Sequence, residues 1–131
     1  ALVWLKDPDG NYLACNKRFE QFFNASAADI IGKSDNDFVD EATAAMFRYN
    51  DQLALRSEHA LINEEWIQFQ SDQHKELVET TKVRLETDTG QLVGVLGVAY
   101  DITDRFKLHK QQKIGLSVFS EAIEGIMITD P

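Results

Sequence analysis

Three strand-like stretches follow one another with little between them: residues 61–69, 76–86 and 91–101. The joins hold turn-forming residues, Ser71-Asp72-Gln73 and Asp88-Thr89-Gly90, so consecutive pairing as an antiparallel meander is the simple topology. Two shorter apolar stretches, 2–6 and 11–15, surround Asp7-Pro8-Asp9-Gly10, a good hairpin-type turn. The residues between these two sets read as helices. Asn16 can cap a helix whose Phe19, Phe22 and Phe23 fall on one face. Ser26-Ala27-Ala28-Asp29 resembles a capping box, and Gly32 ends that short helix. Asp40 can cap a longer helix at about 41–57, along which Ala42, Ala45, Met46, Tyr49 and Leu53 form a stripe. The order β-β-α-α-α-β-β-β is that of an α+β fold. A five-stranded antiparallel sheet needs covering on one face, the helices between strands two and three are available, and the space between is the natural pocket.

A second signal is a repeat. Ile126-Met127-Ile128-Thr129-Asp130-Pro131 echoes Val3-Trp4-Leu5-Lys6-Asp7-Pro8 at an offset of 123 residues, too long a period for a solenoid. Before the second copy comes Gly94-Val95-Leu96-Gly97-Val98-Ala99-Tyr100-Asp101-Ile102-Thr103-Asp104-Arg105, a glycine-spaced apolar strand running into a polar stretch. With Asp7-Pro8-Asp9-Gly10 and Asn16-Lys17-Arg18-Phe19, this resembles the PAS sensory domain family over residues 1 to about 105. The resemblance implies a PAS domain at 1–104, a signalling helix at 105–118 and the opening of a second PAS domain at 119–131.

Composition narrows the function. With 44% apolar and 10% aromatic residues in 131, the chain is expected to fold around a real core. Its net charge of −9 argues against nucleic-acid binding, which favours a basic face. The charge is uneven: residues 1–103 hold 9 Lys/Arg against 18 Asp/Glu, whereas 104–113 hold Arg105, Lys107, Lys110 and Lys113 against Asp104 alone. No run of 18 apolar residues and no signal-peptide pattern is present, so no membrane contact by this piece is expected. A single cysteine rules out an internal disulfide and fits a reducing, cytoplasmic setting; membrane anchoring of the parent stays open.

No catalytic constellation is visible: no Gly-x-Ser-x-Gly, phosphate loop, His-Glu-x-x-His or dinucleotide fingerprint, and His59, His74 and His109 are scattered. The expectation is a regulatory domain, not an enzyme. PAS relatives can carry haem or flavin, and the haem-binding ones ligate iron through a His inside the long helix. That helix offers Tyr49, Asn50 and Arg56, with His59 past its end. Light-sensing relatives use a Cys within Asn-Cys-Arg-Phe-Leu-Gln, but Cys15 sits at the end of strand two, in Cys15-Asn16-Lys17-Arg18-Phe19. Neither haem nor flavin is expected.

For a ligand pocket, Phe38, Phe47, Tyr49 and Trp66 are the aromatic candidates, each open to being plain core. Leu77, Glu79, Thr81, Val83 and Leu85 share one strand face, and Glu79 there either faces the pocket with a partner or lies on the strand's other side. In the PAS family the end of the last strand passes strain to the exit helix, which assigns signal relay to Asp101, Thr103 and Arg105. The resemblance therefore implies a sensory and dimerisation module. It would bind an unknown small molecule, act as a homodimer and signal to a downstream PAS and an output domain in the same chain. That output is expected to be a GGDEF/EAL-type cyclic-di-GMP enzyme or a two-component histidine kinase. The alternatives are a ligand-free dimer spacer and a haem or flavin redox or gas sensor.

Overall fold

The computed structural model describes residues 1–103. Strands β1 (Leu2–Lys6) and β2 (Tyr12–Cys15) are followed by helices α1 (Lys17–Phe23), α2 (Ala27–Ile30) and α3 (Glu41–Arg56), with a 3-10 turn at Asp35–Asp37 before α3. Strands β3 (Leu61–Gln68), β4 (Lys75–Glu86) and β5 (Leu92–Asp101) complete one five-stranded sheet in the order β2-β1-β5-β4-β3. Every neighbouring pair is antiparallel. The meander β3-β4-β5 forms as expected, and β5 closes the sheet by pairing with β1, Leu2 opposite Ala99 and Lys6 opposite Val95. The first strand is thus an interior one, between β2 and β5, although nothing in its own sequence says so.

Local chemistry sets the boundaries. The carboxylate of Asp7 accepts from the backbone N–H of Asp9 and of Asn11, and Gly10 takes the left-handed φ of 92° that the turn requires. Asn16 accepts from the N–H of Phe19 at 3.1 Å as the cap of α1, and also from Val3 N–H at 3.2 Å. One side chain therefore starts a helix and ties it to β1. Ser26 caps α2 through Asp29 N–H, and Asp40 caps α3 through Thr43 N–H at 2.7 Å.

Helices and sheet enclose the main core, built on Trp4, Tyr12, Phe19, Phe22, Phe23, Ile30 and Phe69. Phe19 gathers it, with ring centroids 5.3 Å from Trp4, 5.3 Å from Tyr12 and 4.7 Å from Phe23. Gly97 leaves room for this packing. A methyl group there would lie 2.2 Å from the Trp4 indole, across the β1–β5 ladder. The opposite sheet face carries a second, smaller cluster of Val3, Leu96 and Val98.

Helix α3 corrects the expected pattern. Its stripe faces outward, with Ala42 and Ala45 exposed and Met46, Tyr49 and Leu53 at 48%, 64% and 38% exposure. The buried side carries Ala44, Asp51 and Ala54 instead. A buried carboxylate inverts the apolar pattern by which a helix face is usually recognised.

Candidate functional site

Four charged side chains converge beneath α3. Lys6 comes from the end of β1, Asp35 from the 3-10 turn, Asp51 from the buried face of α3 and Lys82 from β4, and each is about 5% exposed or less. The Lys6 ammonium donates to Asp35 Oδ2 at 2.5 Å and to Asp51 Oδ2 at 2.7 Å. Lys82 donates to Asp51 Oδ1 at 2.8 Å, so one carboxylate bridges two ammonium groups. The Tyr12 hydroxyl donates to Asp35 Oδ1. Burial pushes the Tyr12 phenol well above its usual range, and the neighbouring Asp35 charge adds to that, so it stays a protonated donor. Lys6 also lies over the Tyr12 ring, 5.0 Å from its centroid. Two positive and two negative groups compensate one another, which is what allows them to be buried at all.

This cluster borders a small cavity between the sheet and the helices. Its aromatic wall is Trp4, Tyr12, Phe19, Phe22 and Phe47, and its polar groups are Lys6, Lys82, Thr80 and Glu65. The cavity volume is about 30 Å³, room for one or two water molecules. A larger groove of about 310 Å³ lies outside it, between the first half of α3 and β3, and the two share Phe22, Phe47, Glu65 and Ile67. Glu65 stands on this shared wall, its Oε1 3.4 Å from the Thr80 hydroxyl.

Of the aromatic candidates, Phe47 alone lines the inner cavity. Phe38 stacks on Phe23 at 4.6 Å, in the core beside it. Trp66 is 62% exposed and lines only the outer groove, and Tyr49 points to solvent from the outward stripe of α3. Glu79 lies on the strand's other side, the second of its two readings, and so is not a pocket residue. Val78, Thr80 and Lys82 face the helices, so Leu77, Glu79, Thr81, Val83 and Leu85 face the other way. There Glu79 sits across from Glu64 on β3 and from Tyr100 on β5. Sequence reasoning missed Lys6, Tyr12, Asp35, Asp51 and Lys82. The one available signal was Lys82, an interior strand residue with the same parity as Val78 and Thr80.

At the far end of the sheet, β4 and the close of β5 are stitched together. Ile102 N–H donates to Leu77 carbonyl at 2.9 Å, and Leu77 N–H donates to the Thr103 hydroxyl at 3.3 Å. Asp101 accepts from Thr103 N–H at 2.9 Å. Arg105, the helix at 105–118 and the repeat at 119–131 lie outside the described residues. Cys15 packs against the main core, and burial pushes its thiol up to about 11.

A family model described as the PAS fold matches residues 1–107. The chain belongs to the PAS family. This PAS domain is 31% identical over 102 residues to the methanogenesis regulatory histidine kinase FilI of Methanothrix harundinacea, covering 78% of this chain and 11% of that protein. It is 28% identical over 110 residues to a diguanylate cyclase of Vibrio cholerae, covering 83% of this chain and 34% of the cyclase. The chain thus spans a minor part of both relatives, each a larger signalling protein. Among solved structures it resembles VqmA of Vibrio cholerae in a ligand–DNA complex, with a TM-score of 0.72 at 20% identity over 95% of this chain and 52% of that one. VqmA has also been solved bound to DPO. Identity at that level shows the shared fold. The PAS domain is therefore the sensory, regulatory kind of module found in signalling proteins.

Proposed function

We propose that this PAS domain senses a small molecule in the cavity beneath α3 and relays its presence through the end of β5 to a downstream output domain. The observation that carries this is the compensated Lys6–Asp35–Asp51–Lys82 cluster set against an aromatic cavity. Apolar side chains of similar volume would hold a fold together as well or better. A buried polar cluster at the edge of a cavity instead offers hydrogen bonds to whatever enters. The relay runs from Val78 and Thr80 in the cavity wall to Leu77, which holds Ile102 and Thr103. The parent is a histidine kinase or a diguanylate cyclase, and the module works as a homodimer in the cytoplasm, with no chemistry of its own. The cavity is read as free of cofactor: its lining includes neither histidine nor cysteine, and its volume is far below that of a haem or flavin.

The small volume also favours a second reading, a ligand-free spacer whose own side chains fill the pocket. Mass spectrometry decides between them. Protein purified from its host is denatured and searched for a retained small molecule, and thermal melting is followed with added DPO as a first test compound. A stoichiometric retained molecule or a rise in melting temperature supports sensing. An empty protein that no tested metabolite stabilises supports the spacer.

A further inference from the structure

Strand β3 forms one edge of the sheet, and among the described residues it pairs with β4 alone. Every second residue of an edge strand turns its backbone N–H and C=O outward, where another strand can take them up. Proteins usually blunt such edges with lysine, proline or a bulge. β3 has none of these, and its register runs unbroken from Leu61 to Gln68. Ile62 and Trp66 stand 60% and 62% exposed on its outer face, and Met46 and Phe47 of α3 line the groove on its inner side. Apolar side chains thus flank an open row of backbone hydrogen-bonding groups.

Charge decides which strand fits. Glu64 lies on the outer face and Glu65 on the inner, so the middle of the edge is acidic on both sides. Glu79 stands opposite Glu64, and among the described residues no lysine or arginine pairs with any of the three. A second copy of β3 fits poorly, because antiparallel pairing about its middle sets Glu64 against Glu64 or Glu65 against Glu65. We propose that the β3 edge is a docking surface for an extended, basic segment of a partner protein. That segment adds a further strand, with lysine or arginine opposite Glu64 and Glu65 and apolar residues opposite Ile62 and Trp66. Main-chain bonds supply affinity and the alternate side chains choose the partner. Nothing needs to enter the inner cavity for this.

The test uses the heptapeptide Thr-Val-Lys-Lys-Thr-Val-Thr, blocked at both ends, and the same peptide with both lysines replaced by glutamate. Each is titrated into the isotope-labelled 131-residue chain, following the amide resonances of Ile62, Glu64 and Trp66. The lysine peptide should bind roughly tenfold or more tightly than the glutamate one, as two cross-strand pairs change from opposite to like charge. Glu64→Lys, on the exposed face, should weaken the lysine peptide by roughly fivefold and strengthen the glutamate peptide to match. Two versions of the lysine peptide, N-methylated at alternate residues, test the strand pairing itself. One should lose roughly tenfold, its N–H groups facing β3, and the other should stay within about threefold. Equal binding by the lysine and glutamate peptides overturns the basic partner. Equal binding by the two methylated versions overturns strand addition. Silence with every peptide, or self-association of the chain through β3, overturns the docking surface as a whole.

Discussion

Asp51 accepts from two buried ammonium groups, and that makes it the most consequential single residue described. Asp51→Ala would leave Lys82 without its acceptor and Lys6 with Asp35 alone. Removing one partner of a buried ion pair costs about 3–5 kcal/mol. A denaturant midpoint close to that of the parent protein would show that water reaches the cluster. Glu79 belongs at the other extreme. Directly opposite Glu64 on the outer sheet face, it is expected to gain about 0.2–1 kcal/mol when changed to Lys, since like charges across a ladder destabilise it. Cys15 gives a third residue-level expectation. With its thiol pushed up to about 11 from a reference of 9.0, it should react with iodoacetamide at pH 8 roughly 100-fold more slowly in the folded than in the unfolded protein. These differences were unequally visible in the sequence. A lysine ending Val3-Trp4-Leu5-Lys6 reads as the edge of a turn, and its partners lie 29 and 45 residues away. Pairings of that length leave no periodic trace.

The elements themselves were far more legible, because caps and turns are written in adjacent residues. Asn16, Ser26 and Asp40 each cap the helix expected of them, and the last three strands form the meander implied by their short turns. Faces were less legible where charge enters the interior, as α3 and β4 both show. The junction of β1 and β5 offers a clean check on packing. Gly97→Ala would drive a methyl group into the Trp4 indole and should cost about 1–3 kcal/mol, the usual penalty for overpacking. The fluorescence of Trp4 should shift with it, measured in a Trp66→Phe background. The β3–β4 hairpin carries a pH dependence. His74 accepts or donates toward Glu76 at 2.6 Å and Asp72, stacks on Phe69 at 4.3 Å, and Arg18 also pairs with Glu76. The hydrogen bond with Glu76, and then that with Asp72, raises the His74 pKa above 6.5. A raised folded pKa means that this stabilisation is complete below pH 6.5 and fades as the pH climbs through the folded value. Amide exchange around Gln73 and His74, corrected for its intrinsic pH dependence, should therefore be slowest in mild acid. His74→Gln should abolish the change.

At the scale of the molecule, the Thr103 hydroxyl is, with the Ile102 N–H, one of two contacts that join β4 to the close of β5. Thr103→Ala should cost about 0.5–2 kcal/mol, as for a lost cap, and leave the core folded. In the full-length parent it should fix output high or low, with Thr103→Ser restoring the response. Wild-type output and wild-type amide protection at Leu77 would confine Thr103 to holding the strand end. The fold and the family were readable from the spacing of turns, caps and glycines, whereas the chemistry of the cavity was not, since it is assembled from one residue on each of four separate segments. Their arrangement has a geometric consequence. Val78 lines the cavity, and its chain neighbour Leu77 holds the close of β5 through both its N–H and its carbonyl. Cavity wall and strand end are one peptide unit apart, about 3.4 Å along a strand. If the cavity senses as proposed, no chain of intermediaries is needed: a tilt of the Leu77–Val78 peptide plane would reach the Ile102 N–H directly through the Leu77 carbonyl.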